Sequence, residues 1–521
     1  MLREFGGEQR SPSLVRMADV NTVPVHSRPA NNRISTGIAG LDHVLHGGLT
    51  TNRLYVIEGD PGAGKTTLGL QFLLEGVRRG ERVFYVTLSE TSTELAEVAQ
   101  SHGWDLSGID LMELESLAER FLAEADYTVY HPSDVELGET LQRIRAEVER
   151  LNPARVVLDS VSELRILSQS TPRYRREVLA LKQFFSGRQC TVLMLDDLST
   201  QNGDTSHSQS IAHGVIRMER KSREYGSTRR QLQVLKMRGL KFRDGYHDFA
   251  IETGGIRVFP RLSAAEHVRD HRKPELMSGI AALDNLLGGG LDRGCSTLVI
   301  GPAGCGKTTL CSQYVMAALQ RHENAACYLF EESINTFLDR AAGMGMDFRP
   351  FLKSGKLVLK QSDPAELGPG EFAHSVRHAV EERNARVIII DSINGYLNAM
   401  PSESFLLIHL RELLTYLAHQ GVLTLLVLSQ HGMLGREPFG PIDVSFLADT
   451  VILLRFFEAF GNVRIAISVV KKRLGAHEHS LRELSLTSEG IRIGRPLEEF
   501  EGVLTGVPRY AGNKLPSGPE T

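Results

Sequence analysis

The chain has 521 residues, of which 41% are hydrophobic and 23% charged, so it has ample material for the cores of more than one globular domain. Its 59 Lys and Arg and 63 Asp and Glu give a net charge of −4, which disfavours a main role in binding a nucleic-acid backbone or an anionic membrane. Five cysteines without a CxxC pair disfavour a disulfide framework or a zinc site and favour a cytoplasmic location.

The first 32 residues are polar, contain three prolines and predict a disordered tail. Beyond them, short apolar runs alternate with segments of helical periodicity, which predicts an α/β fold with a mostly parallel sheet covered by helices on both faces. Strands are predicted at 53–58, 82–88, 155–158, 191–195, 297–300, 326–330, 386–390 and 422–428, and helices at 68–79, 138–151 and 403–419.

The sequence repeats itself once. Residues 35–67 are echoed by residues 277–309, and two later landmarks, at 154–160 and 234–239, recur in the same order at 385–392 and 469–475. We therefore predict two copies of one domain, at 33–260 and 274–500, joined by a charged linker at 261–273 and followed by a flexible tail at 501–521.

Each copy contains the pattern G-x-x-x-x-G-K-[ST] after a predicted strand and before a predicted helix, the context of a phosphate-binding P-loop. Backbone N–H groups and the helix N-terminus bind phosphate oxygens there, and the lysine reaches the β and γ phosphates. The predicted ATP-binding residues are Gly59, Asp60, Pro61, Gly62, Ala63, Gly64, Lys65, Thr66 and Thr67, with Gly301, Pro302, Ala303, Gly304, Cys305, Gly306, Lys307, Thr308 and Thr309 in the second copy.

A P-loop site also needs a Mg²⁺ ion, held by the P-loop hydroxyl and by a carboxylate that follows a neighbouring strand. Asp159 and Asp391 each close an apolar run downstream of a P-loop, so Thr66 with Asp159 and Thr308 with Asp391 are the predicted metal residues. The predicted cofactors are thus ATP and Mg²⁺.

Catalysis needs an acidic group that orients or deprotonates the attacking nucleophile. After the strand that follows the P-loop helix, the second copy has the pair Glu331 and Glu332, whereas the first has Ser89 and Glu90. We predict that Glu90, Glu331 and Glu332 fill this role, with the first copy depending on Glu90 alone.

Taken together, these residues resemble the KaiC family of circadian-clock-like proteins, which consist of two tandem RecA-like P-loop ATPase domains. The most specific matching strings are TGIAGLD at 36–42, KMRGLKFRDGYHDFAIETGGIRVFPRL at 236–262 and KKRLGAHEHSLREL at 471–484. The resemblance implies a homohexamer with ATP at the subunit interfaces and regulatory protein partners. It also implies that Lys236, Arg238, Lys471 and Arg473 act in trans on a neighbour's γ-phosphate.

The family's clock protein phosphorylates itself in its second domain, on an adjacent Ser and Thr shortly before a TDT motif. The corresponding string here is DVSFLADT at 443–450, in which Ser445 matches the serine and Phe446 replaces the threonine. The resemblance therefore implies autophosphorylation at one site, Ser445, rather than at two.

Two other functions stay open. The basic run at 217–230 would suit an ATP-dependent nucleic-acid motor, although its one aromatic residue is fewer than a single-strand binding groove normally has. Alternatively, the protein is a nucleotide-gated scaffold without turnover. The Asp196-Asp197 pair follows a predicted strand and is most simply interpreted as the start of a turn.

Overall fold

The computed structural model describes residues 33–114, 132–168, 170–198, 206–222, 226–263, 274–363, 365–398, 406–430, 445–504 and 508–511. The predicted N-terminal tail, residues 264–273 of the predicted linker and residues 512–521 of the predicted C-terminal tail lie outside these ranges. None of the helices within them is long and apolar enough to cross a membrane.

The first half of the chain forms one α/β unit. Its strands are β1 (Arg33–Ile34), β2 (Leu49–Thr50), β3 (Leu54–Gly59), β4 (Val83–Thr87), β5 (Asp110–Glu113), β6 (Arg155–Asp159), β7 (Thr191–Asp197), β8 (Gly214–Lys221), β9 (Arg229–Met237), β10 (Tyr246–Glu252) and β11 (Gly255–Phe259). Its helices are Ala39–Val44, Lys65–Arg78, Ser92–Ser101, Pro132–Leu151, Val161–Ser168, Thr171–Ser186 and Ser206–Ile211.

The second half repeats this plan. Its strands are β12 (Ser296–Gly301), β13 (Asn324–Leu329), β14 (Leu357–Gln361), β15 (Ala385–Asp391), β16 (Leu423–Ser429), β17 (Thr450–Ala459), β18 (Asn462–Lys472), β19 (Arg482–Thr487), β20 (Gly490–Pro496), β21 (Phe500–Glu501) and β22 (Arg509–Tyr510). Its helices are Ala281–Leu286, Lys307–Gln320, Ile334–Ala342, Arg349–Lys353, Pro369–Glu381, Ile393–Asn398 and Leu406–His419, with a 3-10 turn at Ser445–Leu447.

Each unit is built on a nine-stranded sheet, and the strand order of the two sheets is the same. The first runs β5-β4-β6-β7-β3-β8-β9-β10-β11 and the second β14-β13-β15-β16-β12-β17-β18-β19-β20. The first six strands of each sheet are parallel and the last three are added as antiparallel hairpins. The predicted fold, two tandem RecA-like α/β domains, is confirmed.

The central strands are buried on both faces because helices cover each side of the sheet. Successive residues of a strand point to opposite faces, so Val157 belongs to one apolar cluster while its neighbours Val156 and Leu158 belong to another. In the second unit, Val299 and Leu298 divide in the same way. This two-sided burial explains why the strands are almost continuously apolar in sequence.

The end of the chain differs from the prediction of a flexible tail starting at residue 501. Strands β21 and β22 pair antiparallel, Phe500 opposite Tyr510. The rings of Phe457, Phe460, Phe500 and Tyr510 pack edge to face, with centroids between 5.4 and 6.0 Å apart. Aromatic burial at this edge orders a segment whose polar, proline-containing sequence predicts no structure.

The first unit carries a fully buried arginine. Arg155 has no exposed surface, and its guanidinium pairs with Glu81 at 2.5 Å and donates to the carbonyls of Ser35 and Phe72, both at 2.8 Å. It also lies 4.7 Å from the centroid of the Phe72 ring. This one side chain joins the P-loop helix, β6 and the N-terminal segment.

Replacing Arg155 with alanine should lower the free energy of unfolding of the first unit by about 3 kcal/mol, because two carbonyls and a carboxylate lose their buried partner. Urea unfolding followed by circular dichroism measures this. Arg150→Ala is the control, since Arg150 is exposed and its ion pair among the described residues is with Glu147, one helical turn away. Equal midpoints for the two variants would contradict the structural role given to Arg155.

Candidate nucleotide sites

Both P-loops lie between a central strand and the N-terminus of a helix, as predicted. Gly64 and Gly306, the residues before the two lysines, have φ values of 103° and 90°. A side chain is strained in this left-handed region, so the tight turn into the helix needs glycine. The helices Lys65–Arg78 and Lys307–Gln320 then present unpaired N–H groups and the positive end of their dipole to the loop, which favours an anion there.

The two P-loop lysines are buried and make different contacts. The ammonium of Lys307 donates to the carbonyl of Pro302 at 2.7 Å. The ammonium of Lys65 donates to two loop carbonyls at 3.0 Å and forms an ion pair with Asp197 at 2.6 Å. Asp197 ends β7 opposite Gly59, and the equivalent position in the second unit, opposite Gly301, is Ser429. Asp197 is therefore a site residue that the sequence interpretation took for part of a turn.

The predicted metal residues meet at the same edge of the sheet. Thr66 donates to Asp159 Oδ2 at 2.8 Å, and Thr308 donates to Asp391 Oδ2 at 2.5 Å. They meet because parallel strands bring their carboxyl ends to one edge, where the P-loop also lies. Burial raises the pKa of both aspartates, that of Asp391 to about 6.

The donor set fits Mg²⁺. Among the described residues no group of three or more His, Cys, Asp or Glu side chains forms a metal cage. A P-loop Mg²⁺ does not need one, because it keeps several waters and takes its other ligands from the phosphates. One hydroxyl and one carboxylate, both hard oxygen donors 2.5 to 2.8 Å apart at the P-loop, match that requirement.

A tyrosine that the sequence interpretation missed belongs to the first of these pairs. Tyr85 is fully buried and donates to Asp159 Oδ2 at 2.6 Å, so this oxygen accepts from Tyr85 and Thr66 together. Tyr85 lies two residues before Thr87, which pairs with Asp159. In the second unit, the residue two before Leu329, which pairs with Asp391, is Cys327.

The acidic loops follow β4 and β13. Because Thr87 pairs with Asp159 and Leu329 with Asp391, Ser89 corresponds to Glu331 and Glu90 to Glu332. Burial raises the pKa of Glu90 to about 7, with smaller contributions from nearby carboxylates, chiefly that of Asp159. Its Oε2 atom is buried and has no hydrogen-bond partner among the described residues.

In the second unit the two glutamates have different partners. Glu331 accepts a 2.5 Å hydrogen bond from Ser392, the residue after Asp391. Glu332 is paired with Arg340 at 2.8 Å. In the first unit, where Ser89 replaces Glu331, the hydroxyl of Ser160 is buried without a partner among the described residues.

An open cavity of about 500 Å³ brings the second unit's predicted site residues together. It is lined by Ala303, Gly304, Gly306, Lys307, Thr308, Thr309, Glu331, Glu332, Ser333, Thr336, Arg340, Met344, Asp391, Ser429 and Leu486. The predicted trans-acting residues Lys471 and Arg473 and the predicted phosphorylation site Ser445 are not among them. The cavity therefore combines the P-loop, the aspartate and both glutamates of one chain.

The four predicted trans-acting residues lie at the other edge of the sheets. Arg238 bonds through its backbone to His213, which is paired with Leu54 at the start of β3. Arg473 bonds to Asp449, which is paired with Ser296 at the start of β12. Five residues of strand separate each arginine from its own P-loop, a rise of about 16 Å.

Lys236 and Lys471 lie at the same end of the strands as Arg238 and Arg473. Lys236 donates to the carbonyl of Gln209 at 2.6 Å. Lys471 donates to the carbonyls of Ser445 and Ala448, at 3.1 and 2.7 Å. The structure thus places Ser445 beside Lys471 and away from its own chain's cavity.

Three cations of the basic run at 217–230 contact other residues of the first unit. Arg217 pairs with the buried Glu58 at 2.7 Å, and the guanidinium of Arg220 lies against Gly62 of the P-loop. Lys221 donates to Gln231 on the next strand. Residues 223–225 of the run lie outside the described residues. These three cations therefore contact the sheet and the first P-loop.

Each unit has a strand, a glycine-rich loop with a buried lysine and a helix, with an aspartate at the end of the second strand along the sheet, β6 or β15. These features define each unit as a RecA-like P-loop ATPase domain. The chain belongs to the KaiC family of ATPases, whose family model, described as "ATPase: KaiC", matches it twice, at residues 34–263 and 276–498.

Curated relatives match over almost the whole chain. "Circadian clock protein KaiC3" of Synechocystis is 27% identical over 92% of this chain and 95% of its own length. "Circadian clock oscillator protein KaiC" of Parathermosynechococcus lividus is 28% identical over 91% of this chain and 87% of its own. The protein of the same name from Synechococcus elongatus is 26% identical over 91% and 92%.

The raised pKa of Glu90 predicts how Glu90→Gln changes stability with pH. Between pH 4.5 and about 7 the unfolded chain loses the Glu90 proton while the folded chain keeps it, so wild type loses stability as pH rises through this window. Glutamine carries no such cost. The variant should therefore gain in melting temperature over wild type from pH 5 to pH 8, measured without nucleotide or divalent cation.

Glu94→Gln is the control of opposite sign. Hydrogen bonds from Thr91 lower the pKa of Glu94, so the ionised side chain stabilises the fold. Glu94→Gln should therefore lower the melting temperature more at pH 8 than at low pH. A Glu90→Gln curve parallel to that of wild type would show that the Glu90 carboxyl titrates normally.

Proposed function

We propose that the chain is a Mg·ATP-hydrolysing ring ATPase whose second domain also phosphorylates Ser445. The observation that carries this proposal is that the predicted site residues of the second unit lie in two separate places. Lys307, Thr308, Asp391 and the glutamate pair share one cavity, whereas Ser445, Lys471 and Arg473 lie about 16 Å away, at the opposite edge of the sheet.

In each domain the P-loop lysine, Lys65 or Lys307, binds the β and γ phosphates. The metal residues are Thr66 with Asp159 and Thr308 with Asp391. A Mg²⁺ ion bound there supplies positive charge against the phosphate oxygens. The rest of the P-loop residues predicted from the sequence bind phosphate through the backbone, so catalysis depends on position and charge.

The nucleophile is oriented by the acidic loop. In the second domain the carboxylate comes from the Glu331–Glu332 pair, and in the first from Glu90, since Ser89 cannot accept a proton. The buried, unpartnered Oε2 of Glu90 supports this role, because a carboxylate oxygen without a partner is available to a water molecule.

The position of the predicted trans-acting residues supports the ring. Lys236 and Arg238, like Lys471 and Arg473, are too far from their own chain's P-loop to contact its nucleotide. A neighbouring copy placed edge to edge would bring them to a γ-phosphate, where guanidinium groups stabilise the transferred charge. We infer the hexamer named by the family resemblance, with ATP between the subunits.

The same geometry makes the phosphorylation of Ser445 a reaction between chains. The Ser445 oxygen attacks the γ-phosphorus of the neighbour's ATP, the bond to the β–γ bridging oxygen breaks, ADP leaves, and the serine proton passes to the neighbour's acidic loop. Phe446, which is 51% exposed, stands where a second acceptor would be. We therefore propose a single phosphorylation site per chain.

The names of the relatives support a role in clock-type signalling. Regulatory proteins as partners and the cytoplasm as the location stay predictions from the sequence. Three cations of the basic run, Arg217, Arg220 and Lys221, contact the protein itself, which does not support the nucleic-acid motor. The scaffold without turnover stays as the alternative that the following experiment separates.

Incubation of the full chain with γ-labelled ATP and Mg²⁺ tests both activities at once. Wild type should release labelled phosphate and carry label on Ser445. Ser445→Ala should lose at least nine tenths of the protein label and still release phosphate, whereas Ser485→Ala, a change on an exposed strand position, should keep the label. Lys307→Ala should lose the label and the second site's share of phosphate release.

Mixing tests the transfer between chains. When Lys307→Ala chains are mixed with Ser445→Ala chains, the label should appear on the Lys307→Ala chains, which cannot use ATP at their own second site. Phosphate release without label would refute the autokinase and leave the ATPase standing. No release from wild type would favour the scaffold.

A further inference from the structure

The two adjacent glutamates of the second site lie against different walls of the cavity. Glu331 contacts Ser392, next to Asp391, so its carboxylate is on the side of the predicted metal residues. Glu332 receives two hydrogen bonds from Arg340, at 3.1 and 2.8 Å. The third donor of the same guanidinium reaches the hydroxyl of Thr309 at 3.1 Å.

The P-loop helix explains why these walls differ. Thr308 and Thr309 are consecutive residues of one helix, so their side chains point about 100° apart. Thr308 faces Asp391, whereas Thr309 faces Arg340. A carboxylate held by Arg340 is thereby held away from the pair that would bind the metal.

The position of the Arg340 side chain is restrained by its helix and by an aromatic ring. It lies in the last turn of the helix Ile334–Ala342, whose first turn is capped by Ser333, and its guanidinium lies 5.5 Å from the centroid of the Phe337 ring. Both partners of the ion pair are about one quarter exposed, at 26% and 24%. The two parallel hydrogen bonds fix the direction of the carboxylate, which a lysine would not do.

At the equivalent positions of the first unit, the arginine–glutamate ion pair is absent. Thr91 and Ser333 cap equivalent helices, and seven residues after each cap stand Val98 and Arg340. Without an arginine, Glu90, the counterpart of Glu332, keeps a buried oxygen that has no partner among the described residues. Of the acidic-loop glutamates, Glu332 is paired with Arg340, whereas Glu90 in the first unit and Glu331 in the second form no ion pair with a described residue.

We propose that Arg340 is a positioning residue of the second site, which withdraws Glu332 from the nucleophile and leaves Glu331 as the one working carboxylate. It also neutralises one of three negative charges, those of Glu331, Glu332 and Asp391, around a cavity that takes a polyanion. This inference rests on the proposed hydrolysis and phosphoryl transfer at that site.

The test is a comparison of two backgrounds, in a full chain whose first site is silenced by Lys65→Ala. With Arg340 present, Glu331→Gln should lower kcat by about 100-fold or more, the usual effect of losing a general base. In an Arg340→Val chain, which copies the first unit, the same change should cost less than about tenfold, because the released Glu332 takes over. Within each background, Glu331→Gln should leave KM for ATP almost unchanged.

Arg340→Gln, which keeps a polar but shorter side chain and removes the charge, serves as a second background in case the valine variant does not fold. Arg349→Val is the matched control, since Arg349 pairs with Asp339 outside the cavity, and it should leave the full loss from Glu331→Gln in place. Phosphorylation of Ser445 in the same variants gives a second readout, and it should follow kcat.

An equal loss from Glu331→Gln in all backgrounds would overturn the proposal, because Arg340 would then have only a structural role. A loss caused by Glu332→Gln but not by Glu331→Gln would overturn it as well. If the Lys65→Ala parent and wild type both lack turnover, it is the proposed function that fails, and the inference falls with it.

Discussion

The parallel pairing of β3, β4, β6 and β7, and of their counterparts in the second unit, is the constraint on which both sites depend. It brings the P-loop, the aspartate and the acidic loop to one edge of the sheet although they are up to about 100 residues apart in sequence. The hydrogen bonds from Thr66 to Asp159 and from Thr308 to Asp391 are the direct result. The same pairing sends the basic residues and Ser445 to the opposite edge.

On this shared frame the two sites have become chemically different. Asp197, which pairs with Lys65, is replaced by Ser429, and Tyr85, which donates to Asp159, is replaced by Cys327. Ser89 of the acidic loop is replaced by Glu331, and Val98 of the following helix by Arg340, which pairs with Glu332. The first site thus has an additional carboxylate, that of Asp197, beside its P-loop lysine. The second site has an additional glutamate in the acidic loop and an arginine that pairs with one of the two glutamates. Two copies of one domain need not do the same chemistry at the same rate.

Much of this was predictable from the sequence because the signals are local. An apolar run of five residues marks a doubly buried strand, and a glycine-rich loop before a helix marks a phosphate site whatever surrounds it. The internal repeat strengthens each signal, since every element is seen twice in the same order. Asp159 and Asp391 were identified on these grounds, and the structure places each beside its threonine.

The remaining features depend on contacts between distant residues. Asp197 follows a strand as many turn residues do, and only the register of β7 against β3 brings it to Lys65. Glu331 and Glu332 are one identical pair in sequence, and their separation depends on Ser392 and Arg340, which reach them from two other elements. The order at residues 500–504 and 508–511 comes from aromatic packing of Phe500 and Tyr510 on each other and on Phe457 and Phe460, which no local pattern signals.

We infer that one chain holds two nucleotide sites on one repeated fold. Calorimetric titration of the full chain with Mg²⁺ and a slowly hydrolysed ATP analogue tests it most directly. The predicted result is two nucleotides per chain for wild type, one each for Lys65→Ala and Lys307→Ala, and none for the double variant. One nucleotide per wild-type chain, or a stoichiometry that neither lysine affects, would contradict the account.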